Sequence, residues 1–128
     1  MLASKPVHVV DDDVGFLKGI ERLLTMHNLK VRTFASAEEF RAQTNPNDAA
    51  CIILDVHLGD NSGIDLKREL SRQGATTPVI FVTASNSERT HDAALAAGCS
   101  DLLLKPFSVK VLMEAVGKAL QTGNGSSF

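Results

Sequence analysis

Four short apolar runs in this chain each stop on a residue that carries chemistry. Cys51-Ile52-Ile53-Leu54 ends on Asp55, and Val7-His8-Val9-Val10 ends on Asp11-Asp12-Asp13. Val79-Ile80-Phe81-Val82 ends on Thr83, and Asp101-Leu102-Leu103-Leu104 ends on Lys105-Pro106. Short runs rich in Val, Ile and Leu, bounded by turn residues, read as buried strands. The cluster Val56-His57-Leu58-Gly59-Asp60-Asn61-Ser62-Gly63 after Asp55 reads as a turn. Open α/β sheets place their ligands beyond the carboxyl ends of their strands. Four strand ends therefore deliver carboxylates, a hydroxyl and an ammonium to one rim, with Asp55 on a central strand.

The segments between these runs read as helices. Residues 6–11 form the first strand, and Asp13 or Asp12 caps a helix whose buried side is Phe16, Ile20, Leu23, Leu24 and His27, with Asn28 as its stop. Lys30 to Phe34 alternates polar and apolar and suggests an edge strand. Ser36-Ala37-Glu38-Glu39 is a capping box opening a helix to about Gln43, and Asn45-Pro46-Asn47-Asp48 is a loop. Residues 63–73 form a helix with Ile64, Leu66 and Leu70 inward, ended by Gly74. Ser85-Asn86-Ser87-Glu88 reads as a second capping box, before a helix of mostly small residues that stops at Gly98. Ser108 caps a last helix with Leu112, Ala115, Val116, Ala119 and Leu120 on one stripe. The expected division is a domain over residues 1–120 and a flexible tail or linker over 121–128. Strands alternating with helices argue a parallel sheet covered on both faces.

Bulk properties narrow the function. The 128 residues suffice for one domain with its own core. A net charge of -2 with no basic run argues against nucleic-acid binding by this domain. No apolar stretch is long enough for a membrane helix, and residues 1–6 show no secretory pattern, so a cytoplasmic protein is expected. Cys51 and Cys99 have no metal-ligand spacing and read as free thiols. None of the four histidines has metal-ligand spacing to another. His57 reads as an exposed loop residue, His27 and His91 as surface positions, and His8 as a packed, hydrogen-bonded core residue.

Each rim feature alone is more often a solvated turn or a helix cap. Together they define a chemistry. Like charges on Asp11, Asp12 and Asp55 a few ångströms apart cost on the order of 1–4 kcal/mol per pair. A cation relieves this, and an all-oxygen set suits Mg²⁺ better than zinc. A carboxylate beside a divalent ion is a candidate nucleophile for phosphoryl groups, forming an aspartyl phosphate. Mg²⁺, Lys105 and Thr83 would then each hold one phosphoryl oxygen.

Val9-Val10-Asp11-Asp12-Asp13, Ile53-Leu54-Asp55, Phe81-Val82-Thr83-Ala84 and Leu104-Lys105-Pro106-Phe107 match in order and spacing the receiver domains of two-component response regulators. The resemblance covers about residues 6–120. It implies a flavodoxin-like (βα)5 sandwich with a five-stranded parallel sheet in the order 2-1-3-4-5. It implies reversible, self-catalysed phosphorylation from a sensor histidine kinase or phosphotransfer protein, and slow autodephosphorylation, in a signalling switch rather than a metabolic enzyme. Residue by residue, it makes Asp55 the phosphoacceptor and Asp12 a direct Mg²⁺ ligand. Asp11 acts on the metal mainly through water, and His57 gives it a backbone carbonyl. Thr83 and Lys105 bind phosphoryl oxygens. The resemblance also implies a partner or homodimer surface on the fourth helix, fifth strand and fifth helix. The loop Asp55-x-x-x-Gly59-x-x-Ser62-Gly63 is similar to that of receivers fused to LuxR-type helix-turn-helix DNA binders. The chain is thus expected to be a stand-alone receiver or one cut from a longer regulator.

Two departures stand out. Leu58-Gly59 replaces the family's frequent Met-Pro, which predicts a more mobile loop. Leu102 stands where an aromatic residue or His usually partners the switch threonine, and a leucine forms no hydrogen bond when it swings inward. The expectation is that Leu102 keeps one packing and that output depends on the loop after Thr83. Two alternatives share parts of the chemistry. A haloacid-dehalogenase-type phosphohydrolase needs a second aspartate where His57 stands. A flavodoxin needs a hydroxyl-rich phosphate loop where Asp11-Asp12-Asp13 stands.

Overall fold

The computed structural model describes residues 5–123. Residues 1–4, part of the start read as free of a leader, and residues 124–128 of the expected tail lie outside the described residues. Strand β1 (Val7–Val10) leads into helix α1 (Val14–Met26), and edge strand β2 (Val31–Phe34) into α2 (Ala37–Gln43). A single 3-10 turn (Pro46–Asp48) precedes β3 (Cys51–Asp55). The segment read as a turn after Asp55 turns at Gly59-Asp60 and also holds a small antiparallel ribbon, β4 (His57–Leu58) and β5 (Asn61–Ser62). Helix α3 (Gly63–Arg72), β6 (Val79–Thr83), α4 (Glu88–Ala97), β7 (Asp101–Leu104) and α5 (Val109–Gly123) complete the chain. Gln121 to Gly123 still belong to α5.

Local chemistry sets most boundaries. Asp13 is the cap of α1, accepting from the Phe16 amide at 3.1 Å. Ser36 caps α2 through the Glu39 amide at 3.0 Å, and Ser108 caps α5 through the Val111 amide at 3.1 Å. The second capping box is corrected. Ser87, not Ser85, caps α4 through the Thr90 amide, because the helix begins at Glu88. The inward face of α1 is also rotated from the expected one. Leu17, Ile20 and Leu24 are buried, Phe16 and Leu23 are half-buried, and His27 is exposed, bonded through Nδ1 to the Leu23 carbonyl.

The five-stranded sheet is parallel, in the order β2-β1-β3-β6-β7, which is the expected 2-1-3-4-5 once the ribbon is set aside. This is the flavodoxin-like doubly wound fold. Strand alternation sorts the core into two layers. Val7, Val9, Cys51, Ile53, Ile80 and Val82 face α1 and α5. Val10, Ile52, Leu54, Val79 and Phe81 face α2, α3 and α4. Each of these fully buried Val, Leu or Ile side chains contributes about 1.5–3 kcal/mol. The Cys51 thiol, buried in the first layer, is pushed up to about 12 and behaves as a small apolar residue.

His8 differs from its sequence reading. It is fully buried, but among the described residues neither ring nitrogen meets a hydrogen-bond partner. The cause is its setting. Its ring packs edge-on against Phe34 and Phe40, with centroids 5.3 and 5.9 Å away. Burial, reinforced by Arg32 and opposed by Asp48, lowers its pKa to about 4. The unfolded chain takes up a proton near pH 6.5 that the folded chain refuses until about pH 4. Stability from a neutral His8 is therefore full above pH 6.5 and is lost as pH falls towards 4. Between pH 7 and pH 4 the wild type should lose about 3 kcal/mol more than His8→Leu in urea unfolding. Parallel losses in the two proteins would contradict this account.

Candidate functional site

The chain leaves β1 for β2 on one side and then crosses to β3 on the other. The loops after β1 and β3 diverge there and leave a crevice at the carboxyl ends of both strands. Val10 lies opposite Leu54 in the register, so Asp11 and Asp55 follow side by side. Backbone bonds hold the rim level. The Asp11 amide donates to the Phe34 carbonyl at 3.1 Å, the Val56 amide to Val82 at 2.9 Å, and the Lys105 amide to Thr83 at 2.7 Å.

Carboxylates of Asp11, Asp12 and Asp55 offer oxygens that all lie within 4.8 Å of one another. Asp11 is fully buried, Asp55 nearly so, and Asp12 is exposed. Lys105 Nζ donates to Asp11 Oδ2 at 2.7 Å and reaches Asp55 Oδ2 at 3.5 Å. The other oxygens of these two acids are also engaged. Asp11 Oδ1 accepts from the Asp13 amide at 2.9 Å, and Asp55 Oδ1 from the His57 amide at 3.1 Å. The side chain of His57 points into solvent, as its sequence reading expects.

The charges interact as a unit. Burial pushes the Asp55 carboxyl above the usual range; the His57 amide pulls it down, the Asp11 charge pushes it up and Lys105 pulls it down. Burial works against the Lys105 ammonium, but the bond to Asp11 and the charges of both acids outweigh it and hold its pKa above the ordinary value. Lys105 Nζ also sits 4.1 Å from the centre of the Phe16 ring, which in turn meets Phe107 edge-on at 6.1 Å. The sequence reading missed this role of Phe16. Its position on α1 gave only a place on the helix's inner side, because the contact depends on how α1 meets the β7 rim. The Lys105–Pro106 bond is cis.

Thr83 is fully buried at the end of β6, and its Oγ1 accepts from the Ser85 amide at 3.0 Å. Among the described residues the structure gives it no direct bond to Asp55. Leu102 is half-buried on β7 and packs against the layer beneath α4. The structure therefore brings Asp11, Asp12, Asp55 and Lys105 together. Thr83 stands at the adjoining strand end, and Leu102 lies opposite Phe81, two residues before it in the register.

Two glycines shape the approach to Asp55. Gly59 turns the ribbon with a φ of +62°. Gly63 opens α3 directly over Asp55, and a Cβ there would lie 2.0 Å from the Asp55 carbonyl oxygen. Its amide also donates to the Val56 carbonyl at 2.7 Å. Gly63→Ala must displace the backbone that carries Asp55 and should cost about 2 kcal/mol or more. Gly19→Ala, with nothing within 4 Å, should stabilise by about 0.5–1 kcal/mol. Equal melting temperatures for the two variants would refute the close-approach argument.

Residues 7–117 match the family model of the response regulator receiver domain. The response regulator protein TodT of Pseudomonas putida is 32% identical over 115 residues, 90% of this chain and 51% of that protein. The transcriptional regulatory protein FixJ of Azorhizobium caulinodans is 35% identical over 120 residues, 94% of this chain and 57% of that protein. The chain thus spans about half the length of the curated relatives it matches. A crystal structure of a response regulator receiver protein from Pseudoalteromonas atlantica superposes with a TM-score of 0.84 at 31% identity, covering 94% of this chain and 98% of that one. With the acidic pocket, the bridging lysine and the strand order already in place, the match over residues 7–117 establishes that this chain belongs to the response regulator receiver domain family.

Proposed function

We propose that this receiver is a phosphoacceptor switch that takes a phosphoryl group onto Asp55. The observation that carries this reading is Lys105 Nζ held between Asp11 and Asp55 at the switch point of the sheet. An Asp55 oxygen attacks the phosphorus of a phosphohistidine on a sensor histidine kinase or phosphotransfer protein. The phosphorus–nitrogen bond breaks, its electrons stay on the imidazole, and an acyl phosphate remains on Asp55. Attack by water later releases phosphate and restores the carboxylate.

The residues supply charge and donors where the transferring group needs them. Lys105 lies close enough to Asp55 Oδ2 to pass from the carboxylates to a phosphoryl oxygen. Thr83 Oγ1 accepts from the Ser85 amide with a lone pair, which leaves its own proton to donate. The three clustered carboxylates are hard oxygen donors and fit Mg²⁺, with Asp12 as direct ligand, Asp11 acting mainly through water, and the His57 carbonyl adding a neutral oxygen. When bound, Mg²⁺ supplies positive charge against the phosphoryl oxygens.

Further parts of the reading rest on the relatives and the surface. A receiver that closes with α5 (Val109–Gly123), three residues beyond the expected end at 120, and is followed by a tail or linker fits the half-length match to proteins named as transcriptional regulators. That match also supports kinship with receivers of the LuxR-type class. Among the described residues no helix is long and apolar enough to cross a membrane, and a cytoplasmic place suits a partner of histidine kinases. Exposed Leu95 on α4, Leu104 on β7 and Val111 on α5 support a homodimer or partner surface on that side.

Intact mass after incubation with acetyl phosphate and Mg²⁺ tests the proposal. The wild type should gain one phosphoryl group, only with Mg²⁺, and Asp55→Asn none. Lys105→Ala should slow the gain by roughly 10²-fold or more. A gain in Asp55→Asn would mean that another carboxylate is the nucleophile. Sedimentation of the phosphorylated protein checks the surface, and an unchanged mass would remove the homodimer.

A further inference from the structure

Ser85 is tied at three points. Its amide donates to Thr83 Oγ1 at 3.0 Å, its Oγ accepts from the Ser87 amide at 3.1 Å, and its carbonyl oxygen lies 2.9 Å from His91 Nε2. A carbonyl oxygen only accepts, so His91 Nε2 carries the proton. Thr83 belongs to the rim. Ser87 caps α4, and His91 lies within the first turns of that helix. One residue therefore connects the rim hydroxyl to α4 through three hydrogen bonds.

Little else positions the front of α4. Ala94 is its one fully buried residue, with Ala93 and Ala97 packed alongside, while Leu95 is 60% exposed. Alanine side chains bury little area, so packing holds this helix weakly. Its far end is fastened separately, by Lys67 Nζ on the Ala97 carbonyl at 3.4 Å. Leu102 beneath it has no polar group with which to follow Thr83. The side-chain hydrogen bonds that tie the first turns of α4 to the rim segment are that of the Ser87 amide to Ser85 Oγ and that of His91 to the Ser85 carbonyl.

We infer that His91 is the positioning residue that carries the state of the Asp55 site to α4, through its hydrogen bond to the Ser85 carbonyl. The inference rests on the phosphoacceptor reading above. Thr83 Oγ1 has one proton, and donating it to a phosphoryl oxygen draws the hydroxyl towards Asp55. The half-buried Ser85 amide follows its acceptor, because an amide left without a partner is costly. The Ser85 carbonyl moves with the same peptide segment and takes His91, and with it the opening of α4, along.

The test uses the full chain with acetyl phosphate and Mg²⁺. Intact mass reports the phosphoryl gain, and amide chemical shifts of α4 report the response, in the wild type, His91→Phe and His91→Gln. Phe keeps a ring without a donor, whereas Gln keeps an N–H donor. All three should gain the phosphoryl group to the same extent. The α4 shift changes should fall about threefold or more in His91→Phe and return in His91→Gln. Full wild-type changes in His91→Phe would overturn the coupling, as would a phosphorylated wild type whose α4 amides do not move. A Gln variant as unresponsive as Phe, with matching spectra before phosphorylation, would also overturn it. A wild type that gains no phosphoryl group, with its mass unchanged, overturns the phosphoacceptor reading itself and is distinguished from the other results by that mass.

Discussion

Lys105 stands between two buried carboxylates, 2.7 Å from Asp11 and 3.5 Å from Asp55, and the functional rim depends on that arrangement. Two acids held side by side by the β1–β3 register would repel each other. The ammonium from β7 offsets part of this, and the ring of Phe16 gives it a further face to rest on. Asp11 is fully buried and paired, so removing the lysine would strand a buried charge, at a cost of about 3–5 kcal/mol. The offset is incomplete, since three carboxylates face one ammonium. Asp55 lies above the usual carboxylate range, first because it is buried and then because of the Asp11 charge. Such a pocket suits a hard divalent cation, and in the proposed function the same lysine finds its new partner on the phosphoryl group.

The sheet makes this arrangement reproducible. Ladder bonds continue one residue past the strand ends at Asp11, Val56 and Lys105, so the charged side chains start from backbone that cannot slip. The loop after β3 is held as a ribbon, and Gly63 lets α3 approach the Asp55 carbonyl where any side chain would collide. Helix α4 has one fully buried residue and is fastened to the rim through Ser85. The rigid part of the molecule holds the chemistry, and the loosely packed part is joined to it by a short path of hydrogen bonds.

Most of this was legible in the sequence because it rests on local patterns. The four apolar runs gave β1, β3, β6 and β7, the polar–apolar alternation of residues 30–34 gave edge strand β2, and the residues that end the runs gave Asp11, Asp55, Thr83 and Lys105. The ribbon was not legible, since strands of two residues carry no periodicity. The cap of α4 was misplaced because Ser85 and Glu88 satisfy the capping-box spacing while Ser87 and Thr90 satisfy the geometry. His8 was expected to be hydrogen-bonded, but its neighbours Phe34 and Phe40 come from β2 and α2, and no local pattern brings them to it. The contact of Phe16 with Lys105 and that of His91 with Ser85 likewise depend on how separate elements meet.

The central claim is that the carboxylate of Asp55, and no other, becomes the acyl phosphate. Reduction with borohydride after phosphorylation converts an aspartyl phosphate to homoserine, which tandem mass spectrometry locates within the sequence. The account predicts homoserine at position 55 alone. Homoserine at position 11, 12 or 13, with Asp55 intact, would contradict it.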